Sequence, residues 1–156
     1  LSMTLPPFIS QNLGANKFDR VKQAYWLAVK FVMGWQLLVS ILLWLLSGLI
    51  AALFAKEQAV AELIQLFLLI VPFGYGLQGI IILTNSSLNA CHLPMSALTL
   101  SIIRLFVFFV PITVAMGWVF DLTGIFAGAV AANLCMAMVS MYWFRRSLRV
   151  LETQTD

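Results

Sequence analysis

Residues 25–54 read YWLAVKFVMGWQLLVSILLWLLSGLIAALF, with Lys30 the one charge among them. A helix rises 1.5 Å per residue and needs about 20 apolar residues to cross the hydrocarbon core of a bilayer. A helix on a soluble domain would carry polar side chains every third or fourth position, whereas here Gln36 and Ser40 are isolated interruptions. Three further stretches have the same character, roughly Val60–Leu83, Met95–Val119 and Leu122–Phe144. In lipid every backbone N–H and C=O must find a partner within the chain, and a helix achieves that. The expectation is an all-α integral membrane protein with four spans.

Composition agrees. Hydrophobic residues make up 62% and charged residues 10% of the chain, against roughly 45–50% and about 25% in soluble domains. The net charge of +3 comes mostly from basic residues at the ends of the apolar stretches. That distribution speaks for membrane orientation and against a nucleic-acid-binding face. Cys91 falls in a connection and Cys135 deep in the last stretch, so no disulfide is expected between them. His92, the one histidine, has no companions at metal-ligand spacing, so neither a metal site nor another cofactor is expected.

The opening residues 1–15 are apolar and lack the basic start and small-residue cleavage site of a signal peptide. They read as the end of a truncated membrane helix, with Gly14 placed as a left-handed cap. Residues 16–24 carry Lys17, Arg20 and Lys22, with Phe18 and Val21 on one side of a helical turn. They are expected to be a short amphipathic linker in the headgroup layer. Residues 25–144 then form the four-helix portion and 145–156 a cytoplasmic tail. The first span ends before Lys56-Glu57, the second at Asn85–Cys91, and Pro94 opens the third. Asp121 and Gly124 mark the turn into the fourth, which should finish at Arg145-Arg146. Lys17, Arg20 and Lys22 before the first span and Arg145, Arg146 and Arg149 after the last place both ends in the cytoplasm by the positive-inside rule. The localisation that follows is a cytoplasmic (inner) membrane, crossed several times.

Charges and amides within the spans point to function because they are costly there. Arg104 lies nine residues into the third span, roughly 14 Å deep. It either belongs to a polar cavity or satisfies carbonyls freed at a kink in the second span. Lys30 is shallow enough for its stem to reach the headgroups. In the second span, Tyr75, Gln78, Asn85 and Asn89 share one face at 3.6 residues per turn. Such a face lines a cavity or bonds to another helix; it does not belong in lipid. Pro72, Gly74, Gly76 and Gly79 predict a kink or broken turn beside it. Gly124, Gly128 and Ala132 recur every fourth residue and permit close packing against another helix. Catalytic groupings are missing: there is no Gly-x-Ser-x-Gly, no His pair, no phosphate loop and no embedded acid pair, so no enzyme is expected.

The run Pro7-Phe8-Ile9-Ser10-Gln11-Asn12-Leu13-Gly14-Ala15, followed by Asn16-Lys17-Phe18-Asp19-Arg20-Val21, resembles a signature of the multidrug and toxic compound extrusion (MATE) transporters. In that family a helix ends at the cytoplasmic face on a Gly-Gln-Asn-x-Gly-Ala-like stretch; Ser10 replaces the first Gly. Leu77-Gln78 and the connection Asn89-Ala90-Cys91-His92-Leu93-Pro94 are similar to the family's penultimate cytoplasmic loop. The resemblance implies a piece of a twelve-helix, two-lobed transporter, from the end of the eighth span through the twelfth, with the amino-terminal lobe as its missing partner. It implies a cation-coupled multidrug antiporter, driven by Na⁺ or H⁺, that exports organic, cationic xenobiotics by alternating access. Most of the coupling-ion site would lie outside this stretch, and Tyr75 stands where some branches carry an acid. A lipid-linked saccharide flippase of the same superfamily and a non-transporting membrane assembly subunit are the alternatives.

Overall fold

The computed structural model describes residues 3–155, and among these every regular element is helical. The elements are α1 (Leu5–Gly14), α2 (Phe18–Phe54), α3 (Gln58–Ala90), α4 (Pro94–Ile102), a π-helical stretch (Ile103–Phe109) and α5 (Val110–Thr155). Three helical runs are long and apolar enough to cross a membrane: Phe18–Phe54, Gln58–Ala90 and Pro94–Thr153. The third reverses at Phe120 (φ −127°, ψ 18°) and Asp121 (φ 52°, ψ −136°). Its two arms then lie against each other, since a Cβ on Gly124 would run into the carbonyl of Met116 and one on Gly128 would come 3.0 Å from the Met116 Cβ. Four crossings result. The small-residue face of the last span finds its close partner in the span just before it.

Tight packing is concentrated at the basic end of the bundle. Ile9 of α1, Val21 and Tyr25 of α2, Ile81 and Leu88 of α3, Leu100 of α4, and Met136 and Phe144 of α5 are fully enclosed there. Tyr25 stacks on Phe144 with ring centroids 4.0 Å apart. The Lys22 ammonium meets the Glu152 carboxylate at 2.9 Å, and the Arg145 guanidinium lies 4.4 Å above the Trp26 ring. The start of α2 and the end of α5 therefore sit on the same side, as an even number of crossings requires. Along the outer half of α2 an exposed row, including Trp35, Leu38, Leu42, Leu45 and Leu49, runs at helical spacing. That row is the surface a membrane solvates.

Several expectations need correction. Residues 18–24 are the first two turns of α2, not a separate surface helix, because Phe18, Val21 and Tyr25 form one buried line into the core. Gly14 belongs to the last turn of α1, and the left-handed residue is Asn16 at φ 56°. The Lys17 amide donates to the Asn12 carbonyl and the Asn16 amide to the Leu13 carbonyl. This is a Schellman closure two residues beyond the place expected. The α3–α4 connection repeats it: His92 takes φ 60°, Leu93 N–H donates to Leu88 O and His92 N–H to Asn89 O. No turn of α3 is broken at Pro72. Instead the irregular turns lie at Ile103–Phe109, just before Pro111, whose ring and missing N–H disrupt the α-pattern of the preceding turn. Finally, α5 does not stop at Arg145-Arg146 but continues to Thr155, because Leu148 extends the buried line from Ser140 and Phe144.

Candidate functional site

The amide-bearing face of α3 meets α4 at one well-defined bond. Asn85 Nδ2 donates to Ser101 Oγ at 3.1 Å, and the Ser101 hydroxyl donates to the Ala97 carbonyl at 3.0 Å. Oδ1 of Asn85 is enclosed without a partner among the described residues. Arg104 stands one turn beyond Ser101 in the π-helical stretch and is half-buried. The antiparallel register set by the Asn85–Ser101 bond brings Arg104 about level with Ile82, between Asn85 and Gln78 in depth. Among the described residues no carboxylate pairs with Arg104, since both recorded ion pairs belong to Lys22. The seam thus holds a guanidinium with uncommitted donors beside an uncommitted amide oxygen.

The remaining residues of the predicted stripe are arranged along the same face. Gln78 is half-buried, whereas Tyr75 and Asn89 are exposed. From Tyr75 to Asn89 the stripe runs about 21 Å along the helix axis. Glycines beside it serve close approach. A Cβ on Gly76 would lie 3.0 Å from Gln36 Cγ and one on Gly79 2.8 Å from Val32 Cγ1, so both keep α2 near α3. Gly74 is placed likewise against α5, 3.1 Å from Val130 Cγ2 by the same measure. Pro72, buried, offers its carbonyl to Gln36 Nε2 at 3.1 Å.

The motif residues of α1 build the turn and its anchorage. Asn12 Nδ2 donates to the Phe8 carbonyl at 2.8 Å, and the neighbouring Ser10 hydroxyl donates to the Ala90 carbonyl at 3.0 Å, tying α1 to the end of α3. Pro7, Gln11, Gly14 and Ala15 are exposed. Cys91 is buried in the α3–α4 connection, and that burial pushes its thiol up to about 11.

Three polar residues went unread at the sequence level. Gln36 braces Pro72, and Asn133 is buried beside the Gly74 turn with Oδ1 unpartnered among the described residues. Ser101 completes the seam. Asn133 could have been found as an amide inside a run of small and apolar residues, by the same cost rule that selects Asn85.

Comparison with known proteins places this arrangement. Residues 1–115 match the MatE family. A FAD transporter of Shewanella oneidensis is 34% identical over 155 residues, covering 99% of this chain and 34% of that protein. The bent form of the Vibrio cholerae MATE transporter VcmN superposes with a TM-score of 0.92 at 32% identity, over 97% of this chain and 35% of that one. An inward-facing multidrug resistance MATE transporter superposes at 0.90 with 20% identity, over 99% of this chain and 36% of that one, a likeness of fold. The chain spans about a third of the length of these relatives. With its multi-pass helical bundle and its match over residues 1–115, the chain belongs to the MATE family of membrane transporters.

Proposed function

We propose that this chain forms the carboxy-terminal part of a cation-coupled efflux antiporter of the cytoplasmic membrane, exporting organic, cationic compounds by alternating access. The observation that carries the proposal is the α3–α4 seam, where Asn85 Oδ1 and the Arg104 guanidinium leave hydrogen-bonding capacity unused among the described residues of a membrane-spanning bundle. Unused capacity at that depth is stabilised by water or by a ligand, and hydrocarbon supplies neither. Gln78 and Tyr75 extend the same face deeper, where a ligand's apolar body would rest. Coupling to Na⁺ or H⁺ falls to residues of the other lobe, and the basic end of the bundle faces the cytoplasm by the positive-inside rule.

A second reading is favoured by one observation, the 34% identity to a FAD transporter over nearly the whole chain. An anionic dinucleotide would use Arg104 as a counter-charge to its diphosphate, a bidentate pairing that suits a guanidinium. The two readings separate in proteoliposomes containing the intact transporter. An antiporter of organic cations moves ethidium when a Na⁺ or H⁺ gradient is imposed, and Arg104→Gln leaves that movement largely intact while Asn85→Leu lowers it. A FAD exporter moves FAD instead and loses that movement in R104Q. Movement of neither compound under any gradient would remove both readings.

A further inference from the structure

We propose that the crevice between the start of α4 and the end of α5 binds the headgroup of an anionic phospholipid. The crevice has a volume of about 480 Å³ and is lined by Ser96 of α4 and Tyr142, Trp143, Arg146, Ser147 and Val150 of α5. It offers one cation, three hydroxyls (one of them a phenol) and two aromatic rings of the kind that settle at the membrane–water boundary. Arg146 is exposed, and neither recorded ion pair involves it, so its charge is uncommitted among the described residues.

Two arguments select a lipid over a soluble anion. Leu134, Met138 and Tyr142 are exposed at intervals of four, and Arg146 is the next position on that line. An acyl chain lying along this row would deliver its phosphate to the guanidinium just where the apolar part of α5 ends. Charge complementarity is the second argument. Arg145 and Arg149 line an adjoining crevice of about 240 Å³ on the other side of α5, together with Lys22, whose charge is taken up by Glu152. The surface potential of these two arginines favours anionic headgroups. The inference needs only the membrane-spanning bundle, and its test measures no transport, so it stands or falls separately from the efflux reading.

The test uses the intact transporter in detergent, with native mass spectrometry counting bound lipid and thermal melting reading stabilisation. Phosphatidylglycerol should bind and raise the melting temperature, while phosphatidylcholine and inorganic phosphate should do neither. R146Q should weaken phosphatidylglycerol binding about five-fold, the loss of one surface charge contact, whereas R146K should retain most of it. Equal binding of phosphatidylcholine, equal stabilisation by inorganic phosphate, or undiminished binding by R146Q would each overturn the proposal. So would a failure of R146Q to fold, because Arg146 would then be a structural residue.

Discussion

The phenol oxygen of Tyr25 lies 2.7 Å from the hydroxyl oxygen of Thr84, joining the first crossing to the second inside the fully enclosed part of the bundle. Thr84 donates its own proton to the Ile80 carbonyl at 2.8 Å, so Tyr25 is the donor between them. The ring of Tyr25 also stacks on Phe144 of the last crossing. One side chain therefore fastens three helices where no apolar residue alone could satisfy the Thr84 oxygen.

That arrangement separates two contributions. Tyr25→Phe keeps the stacked ring and removes one hydrogen bond, lowering stability by about 1 kcal/mol. Tyr25→Ala also empties the ring's site and should cost about 3–5 kcal/mol. Thermal melting of the purified protein in detergent checks both. Equal losses for the two variants would show that the ring packing contributes nothing.

Glycines on the hairpin and on the exposed side of α2 should respond in opposite directions. A Cβ on Gly124 would collide with the Met116 carbonyl, and backbone cannot swing aside as a flexible side chain can. Gly124→Ala should therefore destabilise by about 1–3 kcal/mol through overpacking. Nothing lies within 4 Å of a Cβ on Gly34. Gly34→Ala should be neutral or stabilising by up to about 1 kcal/mol, because alanine restricts the unfolded chain more than glycine does. The same melting measurement ranks the pair.

The four crossings were legible because lipid imposes a length and an apolar content that no soluble helix shares, and Tyr25–Phe54 meets both. Asp121 was legible as a turn because it is a charge between two apolar runs. Asn16 was not legible as the left-handed residue, since Gly14 competes for that assignment and only the geometry of the closure decides it. The widened turns at Ile103–Phe109 are themselves almost wholly apolar apart from Arg104, and their one sequence mark, Pro111, lies beyond them and does not by itself say how the preceding turn gives way. The continuation of α5 past Arg146 depends on what Leu148 packs against, a tertiary fact that a polar tail conceals. At the candidate site, the stripe from Tyr75 to Asn89 was readable from its spacing, but its contact with Ser101 was not, because serine at a helix position is ordinarily a back-bonding residue.

His92 holds a left-handed conformation at φ 60° that costs a side-chain-bearing residue about 1–2 kcal/mol. His92→Gly should keep stability or raise it by up to about 1 kcal/mol, while His92→Val should lower it by more than 1 kcal/mol. Melting of the two variants at matched concentration checks the sign. A stabilising valine would mean that the turn is not held in the left-handed region.

Cys91 provides a pH-dependent prediction. Burial raises its thiol from an ordinary value of 9.0 to about 11. The folded protein therefore holds this proton at pH values where the unfolded chain has released it. The associated stability is complete below about pH 9 and declines as pH rises towards 11. At pH 7.5 the thiol is protonated and enclosed, so N-ethylmaleimide should leave it unmodified in the folded protein and modify it after denaturation. Peptide mass spectrometry distinguishes the two states. Rapid modification of Cys91 in the folded protein would contradict its burial.

Water access along the α3–α4 seam is the most direct test of the central claim. The measurement is labelling by a membrane-impermeant thiol reagent in the intact transporter, after Cys91, Cys135 and every other native cysteine are replaced by alanine. Single substitutions Gln78→Cys, Asn85→Cys and Leu42→Cys are compared in that background. Leu42 lies on the exposed apolar row of α2 and should stay unlabelled, while Gln78→Cys and Asn85→Cys should react and be protected by a transported compound. Inert cysteines at both seam positions, or labelling of Leu42→Cys as fast as theirs, would contradict it.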